Sequence, residues 1–185
     1  MRKILAFIAV CIPFTTVADE IQDRKQSSAA IIKEFAGALQ NELKRAMAEG
    51  GPLQAIEVCN QLAPGIAAQH SKKTGWRIAR TALKVRNTEN APDAWETTVL
   101  NDFEARKAKG EAVENLAHAE IVEQDGQRVF RFMKAIPTAE VCLKCHGAEL
   151  AEPVKTKLDA YYPADQARGF NVGDIRGAFT ISQPM

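Results

Sequence analysis

Cys142-Leu143-Lys144-Cys145-His146 concentrates more chemistry than any other stretch of the chain: two thiols three residues apart with a histidine directly behind them. This C-x-x-C-H spacing suits covalent attachment of a c-type haem. Each thiol can add across one of the two vinyl groups on one edge of a porphyrin, and the histidine then reaches the iron as an axial ligand. Other readings fit less well. A zinc knuckle needs a second Cys/His pair, and the remaining Cys and His residues do not supply one at suitable spacing. A thioredoxin-like motif opens a helix after a strand and normally carries no trailing histidine ligand. A structural disulfide between Cys142 and Cys145 leaves His146 without a purpose. One motif predicts one covalently attached haem c, held by Cys142 and Cys145 and ligated by His146.

The ligand on the other side of the iron has more candidates: Cys59, His70, His118, Met47, Met133 and Met185. Cys59 and His70 are eleven residues apart, so on one unbroken helix they would lie on nearly the same face, ~16 Å from each other. Both cannot reach one iron. A lone Cys on an apolar stripe is ordinarily an inert core residue, and a lone His in the next turn is ordinarily solvated. Spacing alone leaves the position open.

The N-terminus bears on that choice. Met1-Arg2-Lys3 is basic, an apolar run follows over 4–10 and continues through Cys11, Ile12 and Phe14, and Thr16-Val17-Ala18 precedes Asp19-Glu20. This layout predicts a secretory signal peptide over 1–18, cleaved after Ala18, and one periplasmic domain over 19–185. The bulky Val10 and the short apolar run before Cys11 count against a lipoprotein anchor. Three cysteines remain after cleavage, an odd number for an oxidising compartment. An unpaired Cys59 thiol is a liability there unless something protects it, and coordination to iron as thiolate would do so.

The chain of 185 residues suits a single domain. Its 46% apolar and 25% charged residues exclude disorder, collagen and a dense disulfide scaffold. Formal net charge is +1, and cleavage leaves 22 basic against 23 acidic residues with no basic stripe. No nucleic-acid partner is expected. Past the N-terminus no apolar run approaches the ~20 residues of a membrane span, so none is expected in the mature chain.

The elements that must position the motif are legible in outline. Ile31, Ile32, Phe35, Leu39, Leu43, Ala46 and Met47 recur at helical spacing, predicting a long amphipathic helix over 21–49. Gly50-Gly51 ends it, and Pro52 opens a second helix whose stripe is Ala55, Ile56, Cys59, Leu62, Ala63, Ile66 and Ala67, with Pro64 as a candidate kink. Period-two alternation over 76–85 predicts a strand with Ala79, Thr81, Leu83 and Val85 on one side. A third helix is expected over 92–109, stopped by Gly110. Asp125-Gly126 between 116–123 and 128–136 is a two-residue hairpin signal that pairs Glu123 with Arg128, Glu120 with Arg131 and His118 with Met133. A last strand over 175–182 should turn Ile175, Gly177, Phe179 and Ile181 inward. The expected class is α+β: an antiparallel sheet flanked by long N-terminal helices, with the haem motif in a loop.

Several segments together resemble a known family. Glu57-Val58-Cys59-Asn60 with Ala63-Pro64, Arg86-Asn87 to Trp95-Glu96, Cys142 to Gly147, and Tyr162-Pro163-Ala164-Asp165 through Gly173-Asp174-Ile175-Arg176-Gly177 follow in order. They look like a bacterial and cyanobacterial family of c-haem domains long catalogued as a domain of unknown function. The resemblance spans nearly all of the mature chain. It implies a PAS-like fold, found alone or as the extracytoplasmic part of histidine kinases and related signalling proteins. It also implies axial ligation by His and Cys, carried here by His146 and Cys59.

A thiolate ligand stabilises ferric over ferrous iron and lowers the potential, whereas methionine does the opposite. The expected function is therefore a periplasmic redox sensor that responds through Cys59, with a small gas as a further candidate ligand of the reduced iron. The rival expectation is a small electron-transfer cytochrome; enzyme activity is not expected. Expected partners are the cytochrome c maturation machinery and a separate redox or signalling protein, since no kinase segment follows Met185. Arg77, Arg80, Arg86, Tyr161 and Tyr162 are candidates for the haem propionates, which need cationic or hydroxyl partners.

Overall fold

The computed structural model describes residues 17–185. The expected signal peptide lies outside the described residues, except that Val17 and Ala18 begin the first helix. Helix α1 (Val17–Thr74) is two arms, because Gly50 and Gly51 leave helical geometry and Gly51 takes φ 65°, which favours glycine. Pro64 lies inside the second arm without ending it. The arms fold back on one another: Phe35 stacks on His70 at 5.5 Å, and Lys73 reaches Glu34 at 2.7 Å.

Strand β1 (Arg77–Thr81) leads to α2 (Ala94–Ala108), whose Asp93 and Glu96 form a capping box. The hairpin β2 (Ala117–Gln124) and β3 (Gln127–Pro137) has the expected register, with Glu123 opposite Arg128, Glu120 opposite Arg131 and His118 opposite Met133. Asp125 and Gly126 supply the positive φ angles of the turn. Helices α3 (Glu140–His146) and α4 (Glu152–Tyr161) precede β4 (Ile175–Pro184). The four-stranded antiparallel sheet runs β1-β4-β3-β2. The fold is α+β as expected.

Both faces of the sheet are covered. On one, Ile31, Ile32 and Phe35 of α1 meet Ile78, Phe130, Phe132 and Ile181. On the other, Val99, Leu100 and Phe103 of α2 meet Met133, Ala135, Ile175 and Ala178. Two expectations fail for this reason. Strand β1 stops at Thr81 and is buried on both sides, at Ile78 and at Thr81, and Leu83, expected on the Thr81 side of the strand, lies beyond it and is exposed. In β4, Ile175 and Ile181 belong to opposite cores. Pro137 pairs with Ile175 and Ile136 with Gly177, so Arg176 bulges without a β3 partner and the alternation flips there.

The motif also lies on a helix, not in a loop: α3 carries Cys142, Cys145 and His146. Helix α4 had no counterpart in the sequence reading, although Pro153 near its start and Val154 and Leu158 at helical spacing mark it. Because β4 runs antiparallel to both neighbours, the ends of β1 and β3 and the start of β4 gather at one end of the sheet. Helix α3 springs from that end.

Candidate functional site

Helix α3 follows β3 closely, tied by backbone hydrogen bonds between Thr138 and Asp174 (2.8 Å) and between Gly173 and Thr138 (2.9 Å). Its last carbonyls are spoken for: Cys145 O accepts from Arg86, and His146 O accepts from Phe170 N at 3.0 Å. Cys145 packs against Ile56 of the second α1 arm and Val154, Leu158 and Tyr162 around α4. The motif is therefore clamped between α1, α4 and the loop that enters β4.

Arg86 organises the centre. Its guanidinium pairs with Asp165 at 3.2 Å, donates to Ala167 O at 3.1 Å and reaches the Cys145 carbonyl. Asp165 is almost wholly buried; it also takes Arg168 at 2.8 Å and the Ala167 N–H at 2.9 Å. Burial alone would raise its pKa, but the hydrogen bonds from Arg168 and Arg86 and the charge of Arg86 win and hold it below the ordinary carboxylate range.

These contacts orient His146. Its Nδ1 lies 2.8 Å from Ala167 O, so Nδ1–H donates there and Nε2 keeps its lone pair. A backbone carbonyl holding one ring nitrogen is how proteins fix a histidine as a metal ligand. Burial, then the charges of Arg176 and Arg86, push the His146 pKa down to about 2, so the ring is neutral at physiological pH. Arg176 Nε lies 3.3 Å and Arg86 Nη1 3.4 Å from Nε2, and Phe170 meets the ring edge-on.

Cys59 lies on the second α1 arm, near enough to Cys145 for the two thiols to act on one another electrostatically. It is solvent-exposed, and partial desolvation raises its thiol pKa against the opposing charges of Arg80 and Arg86. Cys59, Cys142 and Cys145 are all free thiols. A recess of about 170 Å³ borders Arg86, Asn60 and Tyr162, and one of about 400 Å³ borders Arg176, Phe170 and Lys84.

The other candidate axial ligands lie elsewhere. His70 stacks on Phe35, with Nδ1 on the Ile66 carbonyl at 2.9 Å. His118 sits against Trp95 and Glu120 on β2. Met133 is fully buried in the α2-side core, and the Met185 backbone is bonded to Arg128 at the hairpin. Met47 lies on the first α1 arm three residues before the break at Gly50. Sequence reasoning missed Arg176 and Asp165 as neighbours of His146. Their approach depends on a bulge and on chain segments far apart in sequence, and no local signal announces either.

The residues fit a haem on their own chemistry. Cys142 and Cys145 are adjacent on one helix, and His146 presents an unprotonated nitrogen. Cys59 approaches from a different element. Among the described residues no group of three or more His, Cys, Asp and Glu side chains could hold a bare metal ion, and no helix is long and apolar enough to cross a membrane.

A search of curated proteins finds no match. The crystal structure of the cyanobacterial haem protein Tll0287 shares the fold, with a TM-score of 0.66 and 24% identity over 88% of this chain and 96% of that one. The sequence model of the Tll0287-like family matches residues 15–184, essentially the whole described chain, so this protein belongs to the Tll0287-like family.

Proposed function

We propose that this chain is a periplasmic mono-haem c-type cytochrome acting as a redox-responsive sensor module. Cys142 and Cys145 would carry the thioether bonds, and His146 and Cys59 would be the axial ligands. Each thioether forms by addition of an S–H across a vinyl C=C, sulfur to one carbon and hydrogen to the other, so no oxidant is needed. The reading rests on one observation: the Cys59 arm of α1 and the motif helix α3 lie close together, while the Ala167 carbonyl holds His146 with Nε2 unprotonated. That a structurally similar protein is a haem protein adds support.

Haem would supply a one-electron couple and an axial bond whose strength depends on oxidation state. The Ala167 carbonyl, itself held by Arg86, would keep His146 fixed whatever the oxidation state. Cys59 would be the ligand that yields, since a thiolate would favour ferric iron and would hold reduced iron less tightly. Its helix contacts α4 through Ile56, Val154, Leu158 and Tyr162, so its release would shift α1 against α4. A separate protein would read that shift, and the position Cys59 leaves would suit a small gas. Neither role requires substrate turnover.

EPR and optical spectra of the purified oxidised protein test the ligation. A low-spin thiolate signature that disappears in Cys59→Ala is expected; identical spectra for the two proteins remove the mechanism. The exposure of Val141 on the motif helix favours a second reading, an electron carrier whose haem edge meets a redox partner. Fast voltammetry with unchanged ligation in both oxidation states would select the carrier.

A further inference from the structure

The cleft holds more positive charge than its own carboxylates answer. Among the cations around it, Arg86 is saturated by Asp165 and two carbonyls, and Arg168 by Asp165 and Asp159. Arg77 belongs to the other side of the sheet, where it pairs with Glu96 at 3.0 Å. Two arginines are left. Arg80 pairs with Phe179 across β1 and β4 and shares a face with Ile78, the face that α1 covers, and it is near enough to Cys59 of α1 for their charges to interact. Arg176 is the bulged residue of β4. It leans over Phe170 at 5.4 Å, donates to the Lys84 carbonyl at 3.3 Å and lies against His146. Among the described residues neither has a carboxylate partner.

A charge taken out of water without a counter-charge is costly, and proteins pair such groups. Both guanidinium-bearing residues are half-buried rather than free in water. An anion between them would offset both costs. We propose that Arg80 and Arg176 are the residues that bind the two carboxylates of the porphyrin. The assignment rests on the haem reading above. Of the five candidates read from the sequence it keeps Arg80, sets aside Arg77 and Arg86 because their guanidinium groups are already engaged, and adds Arg176. Two guanidinium groups match a dianion in charge, and each can grip a carboxylate through two N–H groups. A free inorganic anion would satisfy the same charges, and the experiment separates the two.

The matured full chain is first weighed intact. Absence of the haem mass overturns the haem reading itself, whatever the arginines do. With haem present, resonance Raman spectra of Arg80→Gln and Arg176→Gln are compared with wild type. The propionate-bending band is expected to shift while the axial-ligand absorption stays, with partial return in Arg80→Lys and Arg176→Lys. Arg77→Gln should leave the band in place. A variant whose band matches wild type overturns the assignment of that arginine.

The second measurement does not need matured variants. The full chain made without haem attachment is titrated with haemin and with haemin dimethyl ester, whose carboxylates are blocked. Wild type should prefer haemin by about tenfold or more, the scale of one charge-assisted hydrogen bond, with the preference falling toward one in the variants. Equal affinity of wild type for the two porphyrins overturns the proposal. A haemin preference abolished by millimolar phosphate assigns the arginines to a free anion and overturns it equally.

Discussion

At the residue scale, one buried carboxylate holds the geometry of the site together. Asp165 holds Arg86, and Arg86 holds the Cys145 and Ala167 carbonyls that set the motif and the His146 ring. Replacing Asp165 with Asn leaves the Arg86 guanidinium without its counter-charge in a largely buried position. We expect a loss of about 3–5 kcal/mol in chemical denaturation, with broadened ferric spectra as His146 loses its fixed orientation. Acid acts on the same group. Hydrogen bonds from Arg168 and Arg86 overcome burial to lower the Asp165 pKa, and the Lys107 hydrogen bond lowers that of Asp174. A depressed carboxylate stabilises the fold above its unfolded pKa of about 4 and loses that contribution as pH falls through its folded value. Urea midpoints should hold from pH 7 to 5 and drop below pH 4. In Asp174→Asn the midpoint should already be lower at pH 7 and the acid drop shallower.

At the element scale, the β4 bulge aims Arg176 at His146, and Gly177 allows it. A Cβ at Gly177 would overlap the Thr81 carbonyl oxygen and lie 2.9 Å from the Ala82 Cβ, and the residue has φ 152°. Gly177→Ala should therefore cost about 1–3 kcal/mol by forcing β1 and β4 apart. It should also disturb the His146 environment, because the same displacement moves Arg176. Ala178→Gly, one residue away on the α2 face, should lower stability while leaving the ferric spectrum unchanged; equal spectral effects would separate the bulge from the site.

At the scale of the whole molecule, α2 is fastened to the sheet by a buried charge. Glu96 is fully buried and accepts from Arg77 on β1, Arg131 on β3 and Thr180 on β4. Arg131 is itself buried and stacks on Trp95 at 4.2 Å. Removing the carboxylate in Glu96→Ala leaves the buried Arg131 with only the half-exposed Asp93, 2.7 Å away, as counter-charge, for an expected loss of about 3 kcal/mol, the low end for a broken buried pair. Since this network lies on the face away from Cys59, haem content and the ferric spectrum of the folded fraction should match wild type. A spectral change would mean that the two faces are coupled.

The C-x-x-C-H run, the Asp125-Gly126 hairpin with its register, the Gly50-Gly51 break and the approximate bounds of α2 were all readable in the chain because each is fixed by residues within a few positions of one another. The strand faces were misread where both sides of the sheet are buried, since alternation then marks no single inside. Which thiol faces the motif, which carbonyl fixes His146 and which arginines remain without a carboxylate were decided by folding alone. Cys59 and Cys145, or Arg86 and Asp165, are brought together only when the α1 arms, the sheet end and α4 close on one another. Charge balance in a cleft is a sum over such distant neighbours, and no local spacing records it.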